Sequence, residues 1–137
     1  MKRAIVVANG HLQVETVLGA LAAAGFEAVA SGSLAESRAQ VDVGAVAVVI
    51  GSSGERGDAG LTGLAGISPA TRRGCVVVLV GPSFTTGDGM RAFLMGADLV
   101  VGASDVARLG ELVGGAVASK RALVGPLDPL AAAKLGG

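Results

Sequence analysis

The segment from Cys75 to Val101 limits the possible folds more than any other part of the chain, because it contains a complete strand–helix–strand unit. Residues 75–80 form an apolar, valine-rich run without polar alternation, which is typical of a strand buried on both faces of a parallel sheet. Side-chain oxygens able to cap a helix follow at 85–88, and residues 99–101 begin another buried strand. The segment therefore predicts a right-handed parallel crossover.

The rest of the chain repeats this unit. Further strands are predicted at residues 4–8, 26–31 and 43–50, and further helices at 12–24, 33–41, 61–67 and 104–121. The second strand contains Glu27 and is predicted to form a sheet edge. Strict alternation predicts a doubly wound α/β domain over residues 1–124, with a five-stranded parallel sheet in the flavodoxin-like order 2-1-3-4-5 and helices on both faces. Residues 125–137 are predicted to form a short helix or a tail.

Composition excludes several classes of function. Eleven basic and eleven acidic residues give a net charge of zero, and the chain has no Trp or Tyr, which argues against nucleic-acid binding. Apolar runs are shorter than the roughly 18 residues of a membrane span, and the apolar stretch at the N-terminus is too short for a signal peptide. A cytoplasmic location is therefore expected. The lone Cys75 excludes an internal disulfide and is interpreted as a small core residue.

The predicted fourth helix contains an apolar stripe. Met90, Phe93, Leu94 and Ala97 fall on one helical stripe. These residues and Met95 are interpreted as core and helix-surface positions and not as a cofactor site. The predicted last helix opens with Ser104-Asp105 as its cap and ends near Lys120-Arg121.

This pattern resembles the receiver domain of two-component response regulators over residues 2–121. The resemblance is most specific in the strand–helix alternation, in the Gly-Ala-Asp at 96–98 and in the final helix, which contains Leu109 and Leu112. It implies signal transduction by aspartyl phosphorylation, with two acids after the first strand that hold Mg²⁺. It further implies an acceptor Asp after the third strand, a Ser or Thr after the fourth and a Lys after the fifth.

The chain departs from that chemistry at almost every position. Residues 8–10 replace the acidic pair, Gly51 or Ser52 stands at the acceptor position, Gly81 at the hydroxyl position and Gly102 at the lysine position. Without carboxylates for a hard cation, the sequence predicts no metal, no cofactor and no catalysis. The resemblance therefore implies a pseudo-receiver, a signalling or scaffold domain that acts through protein–protein contact.

The partner is expected to be a protein, with a second copy of the chain as one candidate. In receivers the face made by the fourth helix, fifth strand and fifth helix commonly carries such contacts. The residues expected on or near that face are Arg91, Met95, Arg108 and Glu111. That mixture of charge and apolar surface suits an interface.

A second interpretation is a domain that binds a small anion or nucleotide at the N-terminus of the first helix. The residues expected to contribute are Asn9, Gly10, His11, Gly51, Ser52 and Ser53. A third interpretation, ranked last, is an enzyme that uses Asp58 or Asp88 in place of the usual acids. Each of these acids, like Glu55, is better explained as a loop residue or a helix cap.

Overall fold

The chain forms a five-stranded parallel sheet in a computed structural model that describes residues 2–8, 12–32, 39, 41, 44–54 and 68–136. The strands are β1 (Arg3–Val7), β2 (Glu27–Ser31), β3 (Ala47–Gly51), β4 (Val76–Gly81) and β5 (Leu99–Gly102). Their order is β2-β1-β3-β4-β5, and every neighbouring pair is parallel. The predicted flavodoxin-like α/β fold is confirmed, and so is the edge position of the second strand.

Helices cover both faces of this sheet. They are α1 (Val14–Ala23), α2 (Pro69–Arg73), α3 (Gly89–Met95), α4 (Leu109–Val124) and α5 (Pro129–Gly136), and a 3₁₀ helix (Ala103–Arg108) precedes α4. The predicted fourth and fifth helices correspond to α3 and α4. The helix predicted at 61–67 lies outside the described residues, as does most of the helix predicted at 33–41.

Two apolar cores form because successive side chains of a strand point to opposite faces of the sheet. On one face, Ala4 and Val6 of β1 pack with residues of α1, α4 and α5. On the other face, Ile5 and Val7 pack with Ala92 and Met95 of α3. The valine-rich central strands are therefore fully buried, as the sequence predicts.

One predicted helix start is wrong, and a further short helix, α2, precedes β4. Ser68 caps α2 by accepting a hydrogen bond from the Thr71 amide (3.2 Å), and Pro69 occupies its first turn, where its missing N–H costs nothing. Asp105 does not cap α4, because the carboxylate accepts a hydrogen bond from Thr86 and the chain runs through the 3₁₀ helix first.

The C-terminal segment is part of the domain core. Asp128 caps the start of α5 by accepting a hydrogen bond from the Ala131 amide (3.1 Å). Leu135 is fully buried, and it joins the same apolar core as α1 and α4. The alternative of a tail after residue 124 is therefore excluded for the described residues up to 136.

Candidate functional site

The carboxyl edge of the sheet is where a doubly wound fold usually binds ligands. Strands β3, β4 and β5 end there at Gly51, Gly81 and Gly102. Of the six residues predicted to bind an anion, Gly51, Ser52 and Ser53 are described at this edge. Residues 9–11 lie outside the described residues, so the anion site remains a prediction.

Ser52 follows β3 directly and is buried. Its amide donates a hydrogen bond to the Val80 carbonyl (2.9 Å), and its hydroxyl accepts one from the Gly54 amide (3.0 Å). Its carbonyl lies so close to Gly81 that a Cβ on that residue would collide with it. The hydroxyl of Ser52, one of the two residues that the resemblance places at the acceptor position, thus takes part in folding its own loop.

Arg91 connects α3 to the loop after β3 by a hydrogen bond. The guanidinium donates a hydrogen bond to the Gly54 carbonyl (2.9 Å) and lies 5.2 Å from the centre of the Phe84 ring, a cation–π distance. Nearby, the Ser83 hydroxyl donates to the Ser53 carbonyl (3.2 Å). The loops after β3 and β4 are therefore joined by side-chain bonds to main-chain carbonyls.

Thr86 ties the loop after β4 to the end of β5. Its hydroxyl accepts a hydrogen bond from the Gly102 amide (2.9 Å) and donates one to the Asp105 carboxylate (2.5 Å). The Gly87 amide also donates to the Val100 carbonyl (3.0 Å). These bonds cover part of the open edge of β5, which would otherwise offer unpaired backbone groups to another strand.

The acids near this edge have structural partners. Asp88 caps α3 by accepting a hydrogen bond from the Arg91 amide (3.1 Å), as the sequence predicts, while Glu55 and Asp58 lie outside the described residues. Across the described parts of the chain, no group of three or more His, Cys, Asp and Glu side chains is arranged to hold a metal ion.

A cavity of about 240 Å³ opens at the carboxyl edge between α1, the end of β4 and the 3₁₀ helix; we name it the α1 cavity. Its wall is mainly apolar, with Val17, Val80 and Val106 among the lining residues, and Gln13, which directly precedes α1, and Thr16 of α1 add polar groups. Ser52 and Ser53 do not line it. The cavity and the predicted anion site therefore use different described residues.

The four predicted interface residues do not share one surface. Met95 is buried in the core, which corrects the expectation that it lies on or near the interface face. Arg91 is partly buried and points to Gly54, as described above. Only Arg108 and Glu111 are exposed, and they form an ion pair of 3.5 Å one turn apart.

The exposed face of α3 consists of the apolar stripe read from the sequence. Ala92 and Met95 face the core, while Met90, Phe93 and Leu94 remain 68, 79 and 49 % exposed. We name these three residues the α3 outer face. The sequence shows these apolar residues on one helical stripe, but the helical period alone does not say which stripe of the helix packs on the sheet.

A groove of about 440 Å³ lies on the other side of β5, against α4. Its apolar wall consists of Leu99, Leu112, Ala116 and Leu123, which we name the β5 groove. Asp98 and Lys120 close its end and form an ion pair of 3.0 Å. Apolar surface thus flanks the edge strand on both sides.

Charged side chains gather at the opposite, amino edge of the sheet. Lys120 also donates a hydrogen bond to the Cys75 carbonyl (2.6 Å), and Asp98 accepts one from the Val77 amide (2.7 Å). Burial raises the pKa of the Cys75 thiol to about 11, so the thiol is protonated at neutral pH and is a poor nucleophile. The interpretation of Cys75 as a core residue agrees with its burial.

A scan of the chain against protein-family models finds no match, and searches of curated proteins and of solved structures find none either. Within the described ranges, none of the helices combines the length and the apolar character needed to cross a bilayer.

Proposed function

We propose that this chain is a non-enzymatic, receiver-like signalling or scaffold domain that acts through protein–protein contact, without aspartyl phosphorylation. The observation that carries the proposal is the α3 outer face, above all Phe93. The chain has three Phe residues, and the other two, Phe26 and Phe84, are buried. A large aromatic side chain exposed beside other apolar groups is typical of a surface that another protein covers.

The partner that fits this surface is a second copy of the chain. The α3 outer face and the β5 groove flank the same edge strand, one projecting and the other recessed. A two-fold dimer needs a patch that is complementary to itself, because each residue contact occurs twice. Phe93 of each copy would then enter the β5 groove of the other.

The absence of catalysis in this proposal is supported by the chemistry at the carboxyl edge. The Ser52 hydroxyl accepts a hydrogen bond from its own loop, and Asp88 caps α3. The positions that the receiver resemblance would fill with a lysine and an acceptor acid are Gly102 and Gly51 or Ser52. A role in a cytoplasmic two-component pathway belongs to the same proposal.

The test is sedimentation equilibrium of the full chain and of three variants. Phe93→Ser and Leu123→Ser each remove one half of the proposed contact, and both side chains are largely exposed in the isolated chain, so the fold should survive. Each is expected to weaken dimerisation roughly tenfold or more, because a buried anchor carries much of the binding energy. Leu130→Ser is the matched control, since Leu130 is also exposed but belongs to neither surface.

A wild-type chain that stays monomeric at millimolar concentration would contradict the proposal. So would a dimer that Leu130→Ser weakens as much as Phe93→Ser does. Incubation with Mg²⁺ and a small-molecule phosphoryl donor should leave the protein mass unchanged, and a stable gain of one phosphoryl group would refute the non-enzymatic part.

A further inference from the structure

We propose that the α1 cavity binds a small, uncharged, mainly apolar molecule of the size of one or two fused aromatic rings. This site is separate from the proposed dimer face and does not depend on it. An apolar cavity of about 150 Å³ is enough to hold benzene. The α1 cavity, at about 240 Å³, is larger and open to solvent on one side, so a ligand can enter without unfolding the domain.

A small residue stands at the opening of the cavity, because Ala103 begins the 3₁₀ helix with a single methyl group. Val17 and Val80 are buried, and they form part of the apolar wall. A flat apolar ring is the kind of ligand that such walls contact well.

Two polar side chains face the same space. Gln13 and Thr16 are three residues apart at the start of α1, so they lie on one side of the helix, and both line the cavity. An amide and a hydroxyl each offer a donor and an acceptor. They suit a ligand that carries one hydroxyl, carbonyl or ring N–H at its edge.

The charge around the cavity disfavours an anion. None of the described lining residues carries a charge, and Glu15, an exposed residue in the first turn of α1 that does not line the cavity, adds a negative charge near it. A carboxylate at that place repels a negative ligand and opposes the attraction of the helix N-terminus. We therefore assign the site to an uncharged ligand.

The test uses indole, phenol and benzene as probes on the full chain. Because the chain has no Trp or Tyr, indole fluorescence can be followed without protein background. Methyl NMR locates the site: the methyl groups of Val17, Val80 and Val106 should shift in a saturable manner. The methyl groups of Val48 and Val77, which lie in the other core, should not shift.

Two variants, one of them with a matched control, test the assignment. Ala103→Leu fills part of the cavity from its rim. It should weaken indole binding roughly tenfold or more, because the larger side chain occupies volume that the ligand needs. Ala107→Leu is the control, since Ala107 is exposed on the same 3₁₀ helix and does not line the cavity. Thr16→Val keeps the side-chain shape and should reduce the preference for phenol over benzene several-fold.

The proposal is overturned if the three methyl groups show no saturable shift up to the solubility limit of the probes. It is also overturned if Ala103→Leu and Ala107→Leu bind indole equally well. Titration with inorganic phosphate and a nucleoside monophosphate completes the test. Stronger shifts of the same methyl groups with these anions would refute the uncharged class and show that the cavity binds anions.

Discussion

At the carboxyl edge of the sheet, serine and threonine hydroxyls and one guanidinium join the loops by bonds to main-chain groups, whereas at the amino edge ion pairs join the elements. Among the described residues, the ion pairs that link different elements are all at the amino edge: Arg3–Glu27, Arg72–Asp98, Lys120–Asp98 and Arg73–Asp128. Arg91 and Asp105, at the carboxyl edge, bond to a carbonyl and a hydroxyl instead.

This difference separates charges that could bind a ligand from charges that hold the fold together. A doubly wound fold commonly performs its chemistry at the carboxyl edge, where charged groups bind ligands and metal ions. Among the described residues, the clustered charges lie at the other edge and hold β4, β5 and the C-terminal helices together. Where the loops after β3 and β4 meet, the carboxyl edge is instead packed closely, with the Ser52 carbonyl against Gly81. The two edges should therefore respond to different substitutions.

Close packing at the carboxyl edge gives the largest expected effect. In Gly81→Ala the new Cβ would collide with the Ser52 carbonyl and lie 3.3 Å from the Phe84 ring, so the strand ends must separate. We expect the free energy of unfolding, measured by urea denaturation, to fall by about 3 kcal/mol.

Gly89→Ala is the control for this substitution. Gly89 begins α3, and a Cβ there meets nothing within 4 Å. Because alanine favours a helix more than glycine does, this variant should be neutral or slightly more stable than the wild type. Equal losses in the two variants would show that the contact between Ser52 and Gly81 does not limit the packing of this edge.

The charge cluster at the amino edge gives the next effect. Asp98→Ala removes the partner of Lys120, which is 15 % exposed, and leaves the Val77 amide without its carboxylate acceptor. We expect the free energy of unfolding to fall by about 2–3 kcal/mol, reduced from the cost of a fully buried pair because water reaches part of the cluster. Urea denaturation at neutral pH measures this loss of unfolding free energy.

Two further variants separate the cluster from ordinary surface charge. Glu111→Ala breaks the exposed pair with Arg108 and should change stability by less than about 0.5 kcal/mol. The double variant Asp98→Ala/Lys120→Met should lose less free energy of unfolding than the sum of the losses in the two single variants. The reason is that each substitution removes a charge that the other leaves unpaired. Additive losses would show that Asp98 and Lys120 do not stabilise each other.

The order of the sheet was predictable because its physical signal is local and strong. Runs such as residues 76–80 carry no polar residue, so both faces must be buried, and only a parallel sheet covered by helices provides that. Short alternating units then limit the connections to right-handed crossovers. No knowledge of distant contacts was needed.

The orientation of α3 was not predictable in the same way. In seven residues, two stripes fit the helical period, and the one with larger side chains turned out to face away from the core. The cap at Asp88 and the bond from Arg91 to Gly54 anchor the start of the helix to the neighbouring loop. That bond joins residues 37 apart in the chain, a contact that no local pattern reveals.

The links at the carboxyl edge were missed for a related reason. The sequence offers Thr86, within residues 85–88, as one possible helix cap and Asp105 as part of another, and each residue type is common at helix starts. The fold brings these two side chains together although 19 positions separate them. Polar residues near strand ends thus predicted where contacts form but not which partners make them.

The smallest expected effect comes from a separate ion pair of the amino edge, between Arg73 and Asp128. The hydrogen bond from Arg73, followed by that from the Ala131 amide, lowers the pKa of Asp128 below its ordinary value of 3.8. The unfolded chain therefore takes up this proton at a higher pH than the folded chain does. The stabilisation is complete above the ordinary pKa and is lost as the pH falls through the lowered one.

Asp128→Asn tests this effect, because asparagine can still cap α5 but does not titrate. Urea midpoints measured from about pH 5 downwards should fall less steeply in this variant than in the wild type. Glu111→Gln, which removes an exposed carboxylate from α4, should keep the wild-type slope. If Asp128→Asn also keeps that slope, then the pair with Arg73 fixes the position of α5 without contributing to its acid stability.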